Sequence, residues 1–156
     1  MRRLGLAICC LGLLLACGGA ERRAADRKAV EELLAAYPAA LSEAYSLGTS
    51  DPLRELVTPR ELTRVEARIA ELRGEGKGLR ARLLQRSVVA IELHSATSGS
   101  ANVIETWNLR VVALGTEQTV SESASQENEL VYSLVHDQGR WWILSRQLKH
   151  SSEPES

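Results

Sequence analysis

The apolar residues of this chain change their period once, and that change limits the fold more than any other feature. From Val30 to Leu72 they recur every three or four positions, and beyond Leu83 they recur every second position. The first spacing lines one face of a helix and the second lines one face of a strand. The order is therefore helices first and sheet afterwards. With 156 residues there is room for one core, so the sequence predicts a single α+β domain in which N-terminal helices pack on a curved, cone-like antiparallel sheet of about four strands.

The first helical stripe is Val30, Leu33, Leu34, Tyr37, Leu41, Ala44 and Tyr45, with Pro38 interrupting it in phase and Gly48 ending it. Such an in-phase proline predicts one kinked helix. Asp51-Pro52 starts a short helix through Leu53, Leu56 and Val57. Thr58-Pro59-Arg60-Glu61 repeats the start signal as a reciprocal capping box. Leu62, Val65, Ile69 and Leu72 follow, and Gly74, Gly76 and Gly78 end that helix. Strands are expected over Val88–Leu93 and Val103–Val111, joined through Ser98-Gly99-Ser100, and over Leu130–His136 and Arg140–Leu148 around a three-residue Asp137-Gln138-Gly139 turn. Leu114 to Gln126 reads as a polar loop.

The front of the chain carries a different signal. Met1-Arg2-Arg3 is followed by an uncharged run from Leu4 to Ala16, the order of a secretory leader. As a helix that run spans about 20 Å, short of the roughly 30 Å of bilayer hydrocarbon, so a permanent transmembrane segment is disfavoured. All three cysteines, Cys9, Cys10 and Cys17, lie in this stretch. The body therefore holds neither a disulfide framework nor a cysteine metal site. Removing Arg2 and Arg3 with the leader lowers the net charge from −1 to −3, which gives nucleic acid no basic face to bind.

Leu14-Leu15-Ala16-Cys17-Gly18 resembles the lipobox of bacterial lipoproteins. The resemblance implies cleavage after Ala16 and acyl chains on Cys17. The expected organisation is then residues 1–16 as signal peptide, 17–25 as lipidated cysteine and tether, 26–150 as the domain and 151–156 as a solvated tail. The membrane, reached through lipid on Cys17, is the first expected partner.

The body carries a second resemblance. It rests on Leu53 to Val57, Leu62, Arg68-Ile69-Ala70-Glu71-Leu72, the strand Val88 to Leu93, and Val131-Tyr132-Ser133-Leu134-Val135 leading through Asp137-Gln138-Gly139-Arg140-Trp141 to Ile143. Order and lengths resemble the nuclear transport factor two superfamily. More narrowly, Val30 to Leu148 looks like the domain that plastid division proteins place in the intermembrane space, which binds a partner and is not known as an enzyme. Most matching residues form the fold, and no partner-contact motif is present. The resemblance therefore implies architecture and leaves the division role aside.

Cone-shaped relatives include isomerases and dehydratases that hold an acid–base pair in an apolar cavity. The candidates here are His94, Glu105, Tyr132 and His136. Glu105 shares a strand face with Val103, Trp107 and Leu109, where an unpaired carboxylate would cost several kcal/mol. Its commoner fate is an exposed face or pairing with an arginine such as Arg146. Histidines at a strand end and beside a turn are more often solvated. Their scatter leaves no metal-ligand spacing, and no cofactor is implied. Gly74-Glu75-Gly76-Lys77-Gly78 mimics a phosphate loop but follows a helix and lacks the hydroxyl residue after lysine, so a connector is the simpler role. Trp107, Tyr132 and Trp142 form a candidate binding surface. Trp141 and Trp142 are adjacent, so one should pack under the helices and the other face outward.

Two functions follow as expectations. The first is a lipid-anchored binding or scaffolding module at the cell envelope, without catalysis, offering a sheet face or cone pocket to a protein or small apolar ligand. The second is a small enzyme using Glu105 with His94 as acid and base. A buried, unpaired Glu105 beside a histidine or tyrosine favours the enzyme, and a filled interior favours the module.

Overall fold

The computed structural model describes residues 14–152, with side chains from residue 19 onward. Residues 1–13 of the expected leader, residues 153–156 of the expected tail and the Cys17 side chain lie outside the described residues. Helix α1 spans Leu14–Leu47, a 3-10 turn covers Asp51–Leu53, and helix α2 spans Pro59–Gly74. Four strands follow, β1 Lys77–Leu93, β2 Ser98–Ala113, β3 Thr119–Asp137 and β4 Arg140–Ser152. They form one antiparallel open sheet in sequence order, so the two helices pack on a four-stranded sheet in an α+β fold.

The core is the predicted one in its main parts. Val30, Leu33, Leu34, Tyr37, Leu41 and Ala44 of α1 meet Leu53 and Val57, then Val65 and Ile69 of α2. The sheet supplies Ile91, Ala101, Val103, Leu130, Tyr132, Leu134, Trp141 and Ile143. Pro38 sits inside a single unbroken α1, and Ser42 donates to the Pro38 carbonyl one turn back at 2.9 Å. Among the described residues no helix is long and apolar enough to cross a membrane.

Several local expectations give way to tertiary pairing. The capping box does not form. Thr58 stands at the cap position with an extended backbone, but its hydroxyl makes no capping bond and is buried without a partner. The Thr58 N–H donates instead to the Ile143 carbonyl at 3.0 Å, and the Ile143 N–H donates to the Leu56 carbonyl at 3.0 Å. This connector pairs with β4 through Val57 and Ile143. With the Thr58 amide already satisfied, Glu61 turns away and accepts from Arg64 at 2.6 Å.

The strands are longer than their apolar patterns suggest. β1 begins at Lys77, directly after the glycine-rich turn, so the connector is shorter than expected and Gly78 is already paired with Val112. The hairpin turn occupies residues 94–97, ahead of Ser98-Gly99-Ser100, which belong to β2. The expected loop after Leu114 is mostly strand, since β3 starts at Thr119 and pairs with β2 through two register shifts. The last turn has two residues, Gln138 and Gly139, with φ of 49° and 82°, the pattern of a tight type I′ hairpin. At the front, α1 starts upstream of Asp26, so residues 19–25 are helical. At the back, Ser151 and Ser152 belong to β4.

Candidate functional site

Glu105 and Trp107 are two residues apart on β2 and turn to the same side by the pleat. Both are buried, Glu105 to 1% exposure. Trp107 Nε1 donates to Glu105 Oε2 at 2.8 Å. On β3, Tyr132 pairs with Ala101, four pairs along from the Glu105–Asn128 pair and on the same face of the sheet. Its long side chain reaches back across that interval, and its hydroxyl donates to Glu105 Oε1 at 2.8 Å. Each carboxylate oxygen thus has a neutral donor. This answers the desolvation cost of a buried carboxylate without an ion pair.

The expected Arg146 pair is replaced by that arrangement. Arg146 lies opposite Tyr132 on β4, is half-buried, and holds its guanidinium 5.9 Å from the Tyr37 ring. Burial works against its positive charge, but Tyr37, Tyr132 and Glu105 around it outweigh burial and hold its pKa above the ordinary arginine value. Burial, then the charge of Glu105, pushes the Tyr132 phenol well above the usual tyrosine range. Tyr132 is therefore a neutral donor at any physiological pH. Tyr37 meets Tyr132 edge to face, with ring centroids 5.7 Å apart, and burial raises its phenol too.

The other candidates are dispersed. His94 is exposed at the end of β1, with Nε2 3.0 Å from Ser100 Oγ, and takes no part in the bonding of Glu105. His136 packs its ring 5.2 Å from Trp141. The acid–base pair of Glu105 and His94 is therefore not assembled. The candidate surface of Trp107, Tyr132 and Trp142 also separates, because Trp107 and Tyr132 are inside and only Trp142 reaches solvent. Trp141 is buried, and its Nε1 donates to Asp26 of α1 at 3.1 Å. Trp142 carries the Arg140 guanidinium 3.5 Å above its ring, and Arg140 pairs with Glu55 at 2.8 Å.

A cleft lined by Arg64, Gln126, Asn128, Leu130, Arg146 and Leu148 opens beside this buried group. It is polar where a catalytic cavity of the expected kind would be apolar, and it leaves Glu105 covered. Sequence reasoning misses Arg64 at this cleft and the buried Glu61 that pairs with it, because the capping signal assigns Glu61 to the backbone. Among the described residues, no three His, Cys, Asp or Glu side chains come together to hold a metal ion.

The Tyr37 hydroxyl is buried without a hydrogen-bond partner, in contrast to that of Tyr132. Removing an unsatisfied buried hydroxyl removes its desolvation cost. Tyr37→Phe is therefore expected to leave the thermal midpoint unchanged or raise it, while Tyr132→Phe lowers it by stripping a donor from Glu105. Parallel melts of the two variants check this, and a clear loss with Tyr37→Phe would show that its hydroxyl has a partner.

No family model matches the chain, and no curated protein matches it. Among solved structures it is similar to the intermembrane space region of the chloroplast protein ARC6, with a TM-score of 0.63 and 19% identity over 79% of this chain and 95% of that one. Likeness at that identity speaks for the fold: the helices and sheet described above are arranged as in that intermembrane-space region.

Proposed function

We propose that this chain is a binding or scaffolding module without catalytic activity, held at a cell-envelope surface by lipid on Cys17 and facing the periplasm or the cell surface. The observation that carries the reading is the state of Glu105. Both its oxygens are occupied by Trp107 and Tyr132, so its chemistry is spent on holding β2 to β3. A general acid or base needs a reachable proton and a substrate position beside it, and Glu105 has neither. The likeness to an intermembrane-space region supports an envelope-facing location.

The partner in this reading is a protein, and the surface that takes it centres on Trp142. A half-exposed tryptophan stacked with arginine has the composition of an interface anchor, because both side chains bring large contact area with little freedom left to lose. Capture from membranes with the full chain tests this, using Trp142→Ala as the comparison. One protein recovered with the wild type and reduced at least tenfold with Trp142→Ala is the expected result. Recovery of none, or equal recovery with both, would remove the proposed surface.

A further inference from the structure

A second cleft lies between the C-terminal part of α1 and the end of the sheet, with a volume of about 330 Å³. That is at the small end of the range for ligand sites. Ser42 and Ser46 of α1 line it, together with Arg80 and Arg82 of β1, Asn108 and Arg110 of β2, and Glu122 of β3. The register explains the convergence. Arg80 lies directly opposite Arg110, Arg82 opposite Asn108, and Arg110 opposite Glu122. Residues paired in this way point to one side of the sheet, as do those two apart on a strand.

Like charges directly opposite on neighbouring strands are destabilising, yet this chain places three arginines in one cleft while its net charge is −1. Arg80 is partly compensated by Glu117 at 2.6 Å. Among the described residues the side chains of Arg82 and Arg110 make no ion pair and no hydrogen bond, and Glu122 does not come within 4 Å of Arg110 in an ion pair. Asn108 Oδ1 already accepts the Ser125 N–H at 2.8 Å, so its NH2 is the group it has to offer. Ser46 adds a hydroxyl without a partner. Two guanidinium groups, an amide NH2 and a hydroxyl stand in the cleft against one carboxylate, Glu122, so donors outnumber acceptors and positive charge exceeds negative.

We infer that this cleft binds a phosphate group, with Arg82 and Arg110 as its principal ligands. The guanidinium fork matches a phosphate's oxygens bidentately, and two forks suit a dianion better than a single carboxylate. No aromatic side chain lines the cleft, so it recognises the phosphate itself and offers no surface on which a base or ring would stack. The inference is independent of both the lipid on Cys17 and the surface at Trp142. The phosphate belongs either to a soluble monoester or to a lipid headgroup.

Calorimetric titration of the full chain with inorganic phosphate, and sedimentation with phosphatidylcholine vesicles with and without phosphatidic acid, test it together. Saturable phosphate binding that weakens at least tenfold in the Arg82→Gln/Arg110→Gln variant is the expected result, and it assigns a soluble source if phosphatidic acid adds nothing. A phosphatidic-acid-dependent gain in sedimentation that the same variant loses assigns the headgroup. Without phosphate, Arg110→Gln should melt at or above the wild-type temperature, because it relieves the Arg80–Arg110 contact. Absence of binding in both arms, binding unchanged in the double variant, or a lower midpoint for Arg110→Gln would overturn the site.

Discussion

Glu105→Leu is expected to lower the stability of the fold by about 4 kcal/mol, from two buried donors left without acceptors at about 1–3 kcal/mol each. The donors are Trp107 Nε1 and the Tyr132 hydroxyl, both 2.8 Å from the carboxylate. Leucine nearly matches the volume, so the loss measures the missing acceptors more than a cavity. Glu105→Gln should cost less but remain destabilising, because its amide keeps one acceptor and turns an NH2 group toward a second donor. Adding Tyr132→Phe to Glu105→Leu should recover part of the loss, since one orphaned hydroxyl disappears and the two changes share a contact. Denaturant midpoints for the three variants and the wild type give these differences directly. The same experiment separates the two kinds of function. A carboxylate kept for catalysis in an apolar site is a stability burden, and its replacement commonly stabilises the protein. A midpoint that rises with Glu105→Leu would return Glu105 to the catalytic reading and remove the structural one.

The residues around Glu105 also show which parts of the molecule could be read from sequence. The change of period at Leu83 gave the α+β order, because period follows directly from which face is buried. The company of Val103, Glu105 and Trp107 on one strand face was equally legible, since it needs only alternation along one strand. Tyr132 as the partner of Glu105 was not legible. Its role depends on the β2–β3 register, which pairs Tyr132 with Ala101, and on a diagonal reach that no single strand encodes. The first residues of β1 and the first half of β3 were hidden for another reason. Lys77, Arg80 and Arg82, like Glu122 and Glu127, sit on strand with at least one side facing water, so they lack the apolar alternation that marks a half-buried strand. The arginine cleft was hidden by the same property. Three scattered arginines look like solvated positions until strand pairing sets Arg80 against Arg110. At Thr58 the local signal was strong and still lost, because a backbone bond to Ile143 satisfied the same N–H that a capping side chain would have taken.

The largest effect is expected from Cys17→Ser. Labelled palmitate should enter the wild-type chain and not the variant, and the variant should move from the membrane fraction to the soluble one. Each methylene buried in the bilayer contributes roughly 0.8 kcal/mol, so one acyl chain holds reversibly and two or three hold almost permanently. Losing all of them changes the partition by many orders of magnitude, where a change in a surface charge cluster would shift it by roughly fivefold per residue. The fold adds a geometric consequence. Helix α1 runs without a break from Leu14 to Leu47 and carries its first core residue at Val30. The residues ahead of Val30 already lie against the sheet, since Trp141 Nε1 donates to Asp26 at 3.1 Å and Arg27 Nη1 donates to the Ile91 carbonyl at 3.3 Å, and Gly19, Arg22 and Arg23 line a cleft with Leu93, Ser95 and Ala96, so lipid on Cys17 would bring that end of the sheet close to the membrane. Equal labelling of the wild type and Cys17→Ser would remove the anchor.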